Sequence, residues 1–464
     1  MDPTRPTRVV VGGGIAGLAA AYFLADDPSH DVLLLEGSPR TGGKLRREEV
    51  AGLRVDVGAE AMLHRRPEGV DLARALGLPV VHPATVESRI WTRGALRPLP
   101  RSLMGVPLDL EALAASGILS EAGLARVLEE RTIPPSAVAH DVSVGELVEQ
   151  RVGTEVVDRL VEPLLGGVYA GHARELSALA TVPQLVAYAR RGSILEQAAA
   201  IPTTYEAPVF AGVEGGMGRL AEALEACGRF AVRTDAPVRS VRPTPGGRAA
   251  FQLTLGSAAA PELLEADQVV LATPAAPTAR LLADLAPEAA AELAGIESAS
   301  VAVVTLVFLA RTLPKLPGSG FLVPPVDGRR IKASTFSFAK WGWVRDAGRG
   351  AADGDDLLVL RTSLGRHREE ATLQVDDDEL VAVSLAELGE AAGLRTAPVA
   401  THVHRWGGGL PQYAVGHLDR VARVRAEVAR VPGLAVCGAA YDGVGIPAVV
   451  ASARTAADCL TKAQ

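Results

Sequence analysis

The stretch RVVVGGGIAGLAAAYFLADD runs from Arg8 to Asp27 and carries no charge between Val9 and Ala25. It admits three readings: a secretory signal, a membrane span, or the floor of a nucleotide pocket. A spanning helix needs about 20 consecutive apolar residues, and this run is shorter. Gly12, Gly13, Gly14 and Gly17 interrupt it where an apolar helix would have to be continuous, and no small-residue cleavage site precedes a mature domain. Directly after Asp26-Asp27-Pro28 comes DVLLLE, a strand pattern ending in an acid. The stretch therefore divides into a buried parallel strand (RVVV), a tight turn (GGGIAG) and a helix (LAAAYFLADD).

Each glycine of Gly12-x-Gly14-x-x-Gly17 then has a mechanical purpose. Gly12 permits the sharp turn, Gly14 lets the backbone approach a pyrophosphate, and Gly17 lets the helix lie close on the strand. The helix start presents free N–H groups and a positive dipole end to the phosphates. Glu36 ends the next strand, placed to accept from ribose hydroxyls. A GxGxxG alone is weak in a chain with 48 glycines. The strand before it, the helix after it and the acid at the next strand end make it a dinucleotide signature.

The 464 residues predict two or three domains with a large core. Apolar residues make up 48% and charged residues 22%, as in ordinary globular chains. A net charge of −7 gives no reason to expect nucleic acid. Cys227, Cys437 and Cys459 are scattered, which excludes a disulfide framework and a CxxC metal site and points to the cytoplasm. Lysine occurs only at 44, 315, 332, 340 and 462, the other basic residues being arginine. Coding bias is the plain cause, and it tempers any purpose read into an arginine cluster.

Further along, GVDLARALGL (69–78) reads as a helix ended by Gly77, and SRIWTRGALRPLP (88–100) as a hairpin turning at Arg93-Gly94. Period-3.6 apolar positions dominate 102–200. RFAVRTDAPVRSVRPTPGGRAAFQLTL (229–255) is β with a turn at Pro245-Gly246-Gly247, and DQVVLATPAAPTARLLADL (267–285) is a second strand-turn-helix. Strands prevail from 298 to 405, with one helix near 377–393 and a surface loop at 346–356. LAVCGAAYDGVGIPAVVASARTAADCL (434–460) is again strand, glycine turn and helix, with Pro447 suited to the first helical position. Val449, Val450, Ala453, Ala456, Ala457 and Leu460 share one face of that helix. Its start could aim a dipole at an electron-rich group such as a reduced flavin ring.

Several tags line up: Gly42-Gly43 after Glu36, GVYAGHARELSALATVPQL (167–185), EGGMGRLAEAL (214–224), GFLVPP (320–325), Arg405 with WGGGLPQYAVGH (406–417) and YDGVGIP (441–447). The chain resembles, over nearly its full length, the oxygen-dependent protoporphyrinogen/coproporphyrinogen oxidases within the monoamine-oxidase-like flavoproteins. It departs from that pattern at His172, where the family usually has an acid, and at Ala59, where it usually has proline. The resemblance implies an α/β fold: a Rossmann-like FAD-binding domain in three parts (1–87, 201–290, 406–464), a mixed-sheet substrate domain (hairpin 88–101, then 291–405) and an inserted helical domain (102–200). It implies FAD rather than NAD. Carried over by position, the contacts are Gly12, Gly13, Gly14, Ile15, Ala16 and Gly17 for the pyrophosphate, Glu36 for the ribose and Val238 for the adenine. Gly43, Lys44, Gly58, Ala59, Glu60 and Ala61 follow along the flavin, with Trp406, then Val444, Gly445 and Ile446 at its ring end.

What the resemblance implies chemically is oxidation of a porphyrinogen. Each bridging C–H of that macrocycle lies between two electron-rich pyrroles, so hydride loss leaves a stabilised cation; O2 is the final acceptor and H2O2 is released. Three rounds give the porphyrin, with no obligatory side-chain base. Coproporphyrinogen III is favoured over protoporphyrinogen IX by the arginine-dense hairpin and by the absence of a membrane segment. Arg65, Arg66, Arg89, Arg93 and Arg97 are the expected carboxylate contacts, because arginine forks match carboxylates. His402-x-His404 lacks further ligands for a metal, and none is expected. Cys437, in LAVCG, reads as a small core hydrophobe. The rivals are a flavin amine oxidase, against which the stretch VAVVTLVF (301–308) carries no lysine, and a non-catalytic binding protein on the same scaffold. Contact of the helical block with a membrane periphery and handover to the next enzyme of haem synthesis are further implications. Oligomeric state stays open.

Overall fold

The computed structural model describes residues 5–201, 208–244 and 249–462. Two sheets organise it. The first is wholly parallel, in the order Ala231–Arg233, Asp31–Leu35, Thr7–Val11, Gln268–Leu271 and Leu434–Val436. Both faces of it are covered, which is why Val9, Val10, Leu34, Val269, Val270 and Leu271 are fully buried with no polar alternation. On one face the helices Ile15–Leu24 and Ile446–Thr461 lie side by side, and Val449, Val450, Ala453, Ala456, Ala457 and Leu460 all point inward as expected. Pro447 is the second residue of its helix rather than the first. The other face carries a three-stranded antiparallel sheet (Val238–Pro243, Phe251–Gly256, Pro261–Ala266) and helices from 275–294 and 417–428. The expected turn at Pro245-Gly246-Gly247 lies outside the described residues.

The glycine turn is built as the spacing requires. Gly12 has φ +109°, where a side chain is disfavoured. A Cβ on Gly17 would stand 1.8 Å from the Gly12 carbonyl oxygen, so only glycine lets the helix lie this close to its strand. Arg8, fully buried, pins the far end of that helix by donating to the Leu24 carbonyl and pairing with Asp27 at 2.6 Å.

The second sheet has seven strands, in the order Ala400–Pro411, Ser298–Leu309, Leu357–Leu364, Ile331–Thr335, Gly320–Leu322, Arg89–Thr92 and Ala95–Pro98. All neighbours are antiparallel except Gly320–Leu322 with Arg89–Thr92. The hairpin does turn at Arg93-Gly94, both at positive φ. Ala302, Val304, Leu306 and Leu360 face the helix Asp377–Ala392 through Leu380 and Leu388. The helical block forms its own core around Leu147, Leu160, Leu165 and Leu185, after a short hairpin at 102–107 that the periodicity missed. Five of its helices start on side-chain caps, at Asp109, Ser120, Ser143, Ser177 and Ser193.

Candidate active site

A cavity of about 1100 Å³ lies between the two sheets. Residues alternating along three strands form one wall: Val301 and Val303, Arg361 and Ser363, Ala333 and Thr335. This is the period-two pattern of a sheet showing one face to a ligand, to which Lys332 and Thr362 are added from between the alternating positions. Gly167 and Val168 of the helix Glu162–Tyr169 add an apolar patch with Leu322.

The opposite wall comes from the two glycine turns. Gly12, Gly14, Ile15, Ala16, Glu36, Gly43, Lys44, Gly58, Ala59, Glu60, Ala61, Val238, Trp406, Val444, Gly445 and Ile446 all line the cavity. Gly13 and Gly17 do not. Gly17 faces the strand, and the Gly13 N–H donates to Glu36 Oε2 at 2.6 Å. Glu36 Oε1 accepts from the Ser38 N–H at 2.8 Å. The expected ribose acceptor is thus first held by two backbone donors, with lone pairs left for a hydroxyl.

The wall fits a dinucleotide on structural grounds. The helices starting at Ile15 and Ile446 have glycine caps and no side-chain cap bond, in contrast to the capped helices of the helical block. Their first N–H groups lack intrahelical acceptors and open on the cavity. A Cβ built on Gly14 meets no atom within 4 Å, so this glycine borders open space. Tyr413, buried, donates to the Ala439 carbonyl at 2.6 Å and accepts from the Gly443 N–H at 2.8 Å, fixing the turn before the second helix. Trp406 Nε1 donates to the Val57 carbonyl at 3.2 Å, and a Cβ on Gly58 would stand 3.0 Å from its ring.

None of the five arginines expected to hold carboxylates lines this cavity. Arg66 pairs with Glu68 and Arg89 with Glu87. Arg93 donates to the Ile118 carbonyl and pairs with Glu155, and Arg97 donates to the carbonyls of Thr92 and Ser116. Arg65 is exposed outside the cavity. Arg93 and Arg97 therefore fasten the hairpin to the helical block, while Arg89 serves only its own strand end. The cations that do line the cavity are Lys44, Arg239, Arg280, Lys332, Lys340 and Arg361, against two carboxylates, Glu36 and Glu60. Three of the chain's five lysines are among them. Scarcity was the overlooked signal: in so arginine-biased a chain, each retained lysine is informative.

Arg361 bridges the two walls, donating to the carbonyls of Asp56 and Gly58 and facing Glu60 at 2.8 Å. Burial pushes the Glu60 pKa up, but the charges of Arg361 and Lys340 outweigh it and hold the carboxyl below its ordinary value. Lys44 opens on the cavity, and desolvation by the enclosing walls lowers its pKa. Cys437 is buried, with its thiol pushed up to about 12, an inert core residue. His402 and His404 stack with centroids 6.2 Å apart, and among the described residues no three His, Cys, Asp or Glu converge as metal ligands.

The family model for flavin containing amine oxidoreductases matches residues 15–461. The chain is 37% identical to a coproporphyrinogen III oxidase of Mycobacterium bovis, across 99% of this chain and 98% of that one. It is 30% identical to the protoporphyrinogen oxidase of Macaca fascicularis, across 97% of both. A crystal structure from Exiguobacterium sp., described as a protoporphyrinogen oxidase, superposes with a TM-score of 0.86 at 32% identity over 99% of each chain. With glycine cradle, second helix start and full-length likeness in agreement, the chain belongs to the flavin containing amine oxidoreductase family, within its porphyrinogen oxidase branch.

Proposed function

We propose that this protein oxidises coproporphyrinogen III to coproporphyrin III in haem synthesis, with FAD bound and O2 reduced to H2O2. The observation that carries the reading is the charge of the cavity. Six cations face two carboxylates in a chain whose net charge is −7. A cationic amine would meet repulsion there. A macrocycle bearing carboxylates would be drawn in, and the apolar patch of Val168 and Leu322 suits its rings. The cations left over after Glu36, Glu60 and a pyrophosphate are matched favour a carboxylate-bearing macrocycle, and the 37% identity to a coproporphyrinogen III oxidase over the full length supports coproporphyrinogen III over protoporphyrinogen IX.

FAD, when bound, supplies the acceptor for the hydride of the methylene bridge. The chain's own residues hold and enclose. Gly12 to Gly17 would receive the pyrophosphate, Glu36 the ribose and Val238 the adenine. Lys44, Gly58 to Ala61, Trp406 and Val444 to Ile446 would border the flavin ring. Arg361 fixes the Asp56–Glu60 segment against the sheet wall and so holds the two sides of the cavity at a set separation, the pre-organisation that a bound flavin and substrate would need. No side chain needs to carry a proton in this scheme. The three-part FAD domain, the split substrate domain and the helical insertion expected from the sequence belong to the same proposal, as does a place in the cytoplasm or at a membrane periphery. Among the described residues no helix is long and apolar enough to cross a membrane.

The test is aerobic incubation of the flavin-loaded protein with each porphyrinogen separately, followed by porphyrin fluorescence. Faster turnover of coproporphyrinogen III is expected. Equal rates defeat the substrate choice, and no rate with either defeats the function.

A further inference from the structure

Lys332 occupies an unusual position in the cavity wall. It is the extra residue of a β-bulge: Ile331 pairs with Leu364 and Ala333 with Ser363, so Lys332 has no partner across the ladder. Bulges re-aim side chains, and here the residue joins Ala333 in lining the cavity while only 5% exposed. Its Nζ donates to the Gly365 carbonyl at 3.1 Å, and among the described residues it forms no ion pair.

The charged groups packed around it offer no counter-charge. Arg366, the nearest, is a like charge and is itself buried. Glu162, on the neighbouring helix, accepts from the Ala173 N–H and faces His172. Glu387, on the helix behind the sheet, accepts from the N–H groups of Arg330 and Ile331. Glu369 stands 3.7 Å from Arg366. Buried ammonium groups without a counter-ion are costly and rare. The bulge, the burial and the missing partner together describe a cation awaiting an anion from the cavity.

We propose that Lys332 anchors one carboxylate of the substrate, which supplies the counter-charge the protein withholds. The inference rests on the porphyrinogen reading and deepens it. It carries a proton linkage. Burial, with Arg366 adding to it, lowers the free lysine's pKa to about 7. Below that value Lys332 is already charged and binding takes up no proton. Above it, the carboxylate must draw a proton onto Nζ, so affinity falls about tenfold per pH unit. Lys44, its pKa lowered by desolvation, and His172, raised by its bond to Glu162, are further groups whose titration can contribute to the pH dependence. The slope is therefore read as a difference between proteins.

The experiment measures binding of coproporphyrin III, the unreactive oxidised macrocycle, to the flavin-loaded protein between pH 6 and 9. Fluorescence gives the affinity, and calorimetry in two buffers gives the proton count. Wild type should bind more weakly as pH rises above about 7 and take up close to one proton at pH 8. Lys332→Met should weaken binding at pH 6.5 by at least about 30-fold, flatten the slope and abolish the uptake. Lys332→Arg, which stays charged, should keep the affinity at pH 8 without uptake. The tetramethyl ester should bind wild type and K332M alike. Flavin content and melting temperature establish that each variant is folded. Wild-type binding with an unchanged slope and proton count in K332M overturns the anchor and leaves the function standing. Absence of porphyrin binding by wild type overturns both.

Discussion

Replacing Gly14 with alanine should remove the cofactor while leaving the fold. The added Cβ would meet no protein atom within 4 Å, and Gly14 has φ −70° and ψ 177°, an extended conformation that alanine adopts. The cost to the apoprotein is the weaker capping preference of alanine, about 1 kcal/mol or less. The same Cβ enters the space in front of the helix start. A phosphate displaced by a methyl group loses close approach to two backbone donors, each charge-assisted bond contributing about 1.5–3 kcal/mol. The expected loss is about 3–6 kcal/mol, a fall in FAD affinity of about 10²- to 10⁴-fold. Gly17→Ala is the contrast. Its Cβ would stand 1.8 Å from the Gly12 carbonyl, so the helix must lift off the sheet and the apoprotein itself should lose stability. The assay pairs denaturant melts of both apoproteins with FAD titrations followed by flavin fluorescence. Gly14→Ala binding FAD within threefold of wild type would refute the placement of the pyrophosphate at this turn.

Arg361→Leu leaves Glu60 buried beside only Lys340, and should destabilise the protein by about 3–5 kcal/mol; Arg361→Leu combined with Glu60→Gln should recover much of that in the same melts. Arg93→Ala and Arg97→Ala should leave the KM for coproporphyrinogen III within about twofold while lowering the melting temperature, since both arginines serve the helical block; a large KM rise would restore them as substrate contacts. His417 stacks on Tyr413 at 3.8 Å, and burial lowers its pKa to about 4. Between about 6.5 and 4 the unfolded chain binds the proton and the folded one does not, so stability falls with acidification, by about 3 kcal/mol at most. His417→Gln should lose that share less steeply in melts across this range, and a slope identical to wild type would count against the burial argument.

The dinucleotide wall was legible because its parts are local. Gly12, Gly14, Gly17 and Glu36 sit within one strand-turn-helix-strand, where spacing alone dictates who meets whom. The start of the second helix was legible for the same reason, as was the Arg93-Gly94 turn. What that hairpin faces was not. Its arginines look outward to the carbonyls of Ser116 and Ile118, a choice made by packing against a separate block. The opposite wall was illegible too. Arg361 reaches the cavity because Thr305 pairs with it across the ladder, and Lys332 because of a bulge. Neither register nor bulge has a signature in the flanking residues. The stretch Val301 to Phe308 indeed has no lysine, yet the cavity does, supplied by a strand two places away in the sheet.

The thiol of Cys437 reaches toward the carbonyl of Ala16 across a separation of 421 residues. A chain emerging from the ribosome makes this glycine turn long before the helix that packs beside it, with most of the other elements synthesised in between. Until then one flank of that strand-turn-helix is bare and apolar, a liability in a crowded cell. Free cofactor cannot rescue that interval, because half of its cradle has not yet been made. Short deletions near residue 450 are therefore expected to leave the first helix uncovered and the protein unfolded.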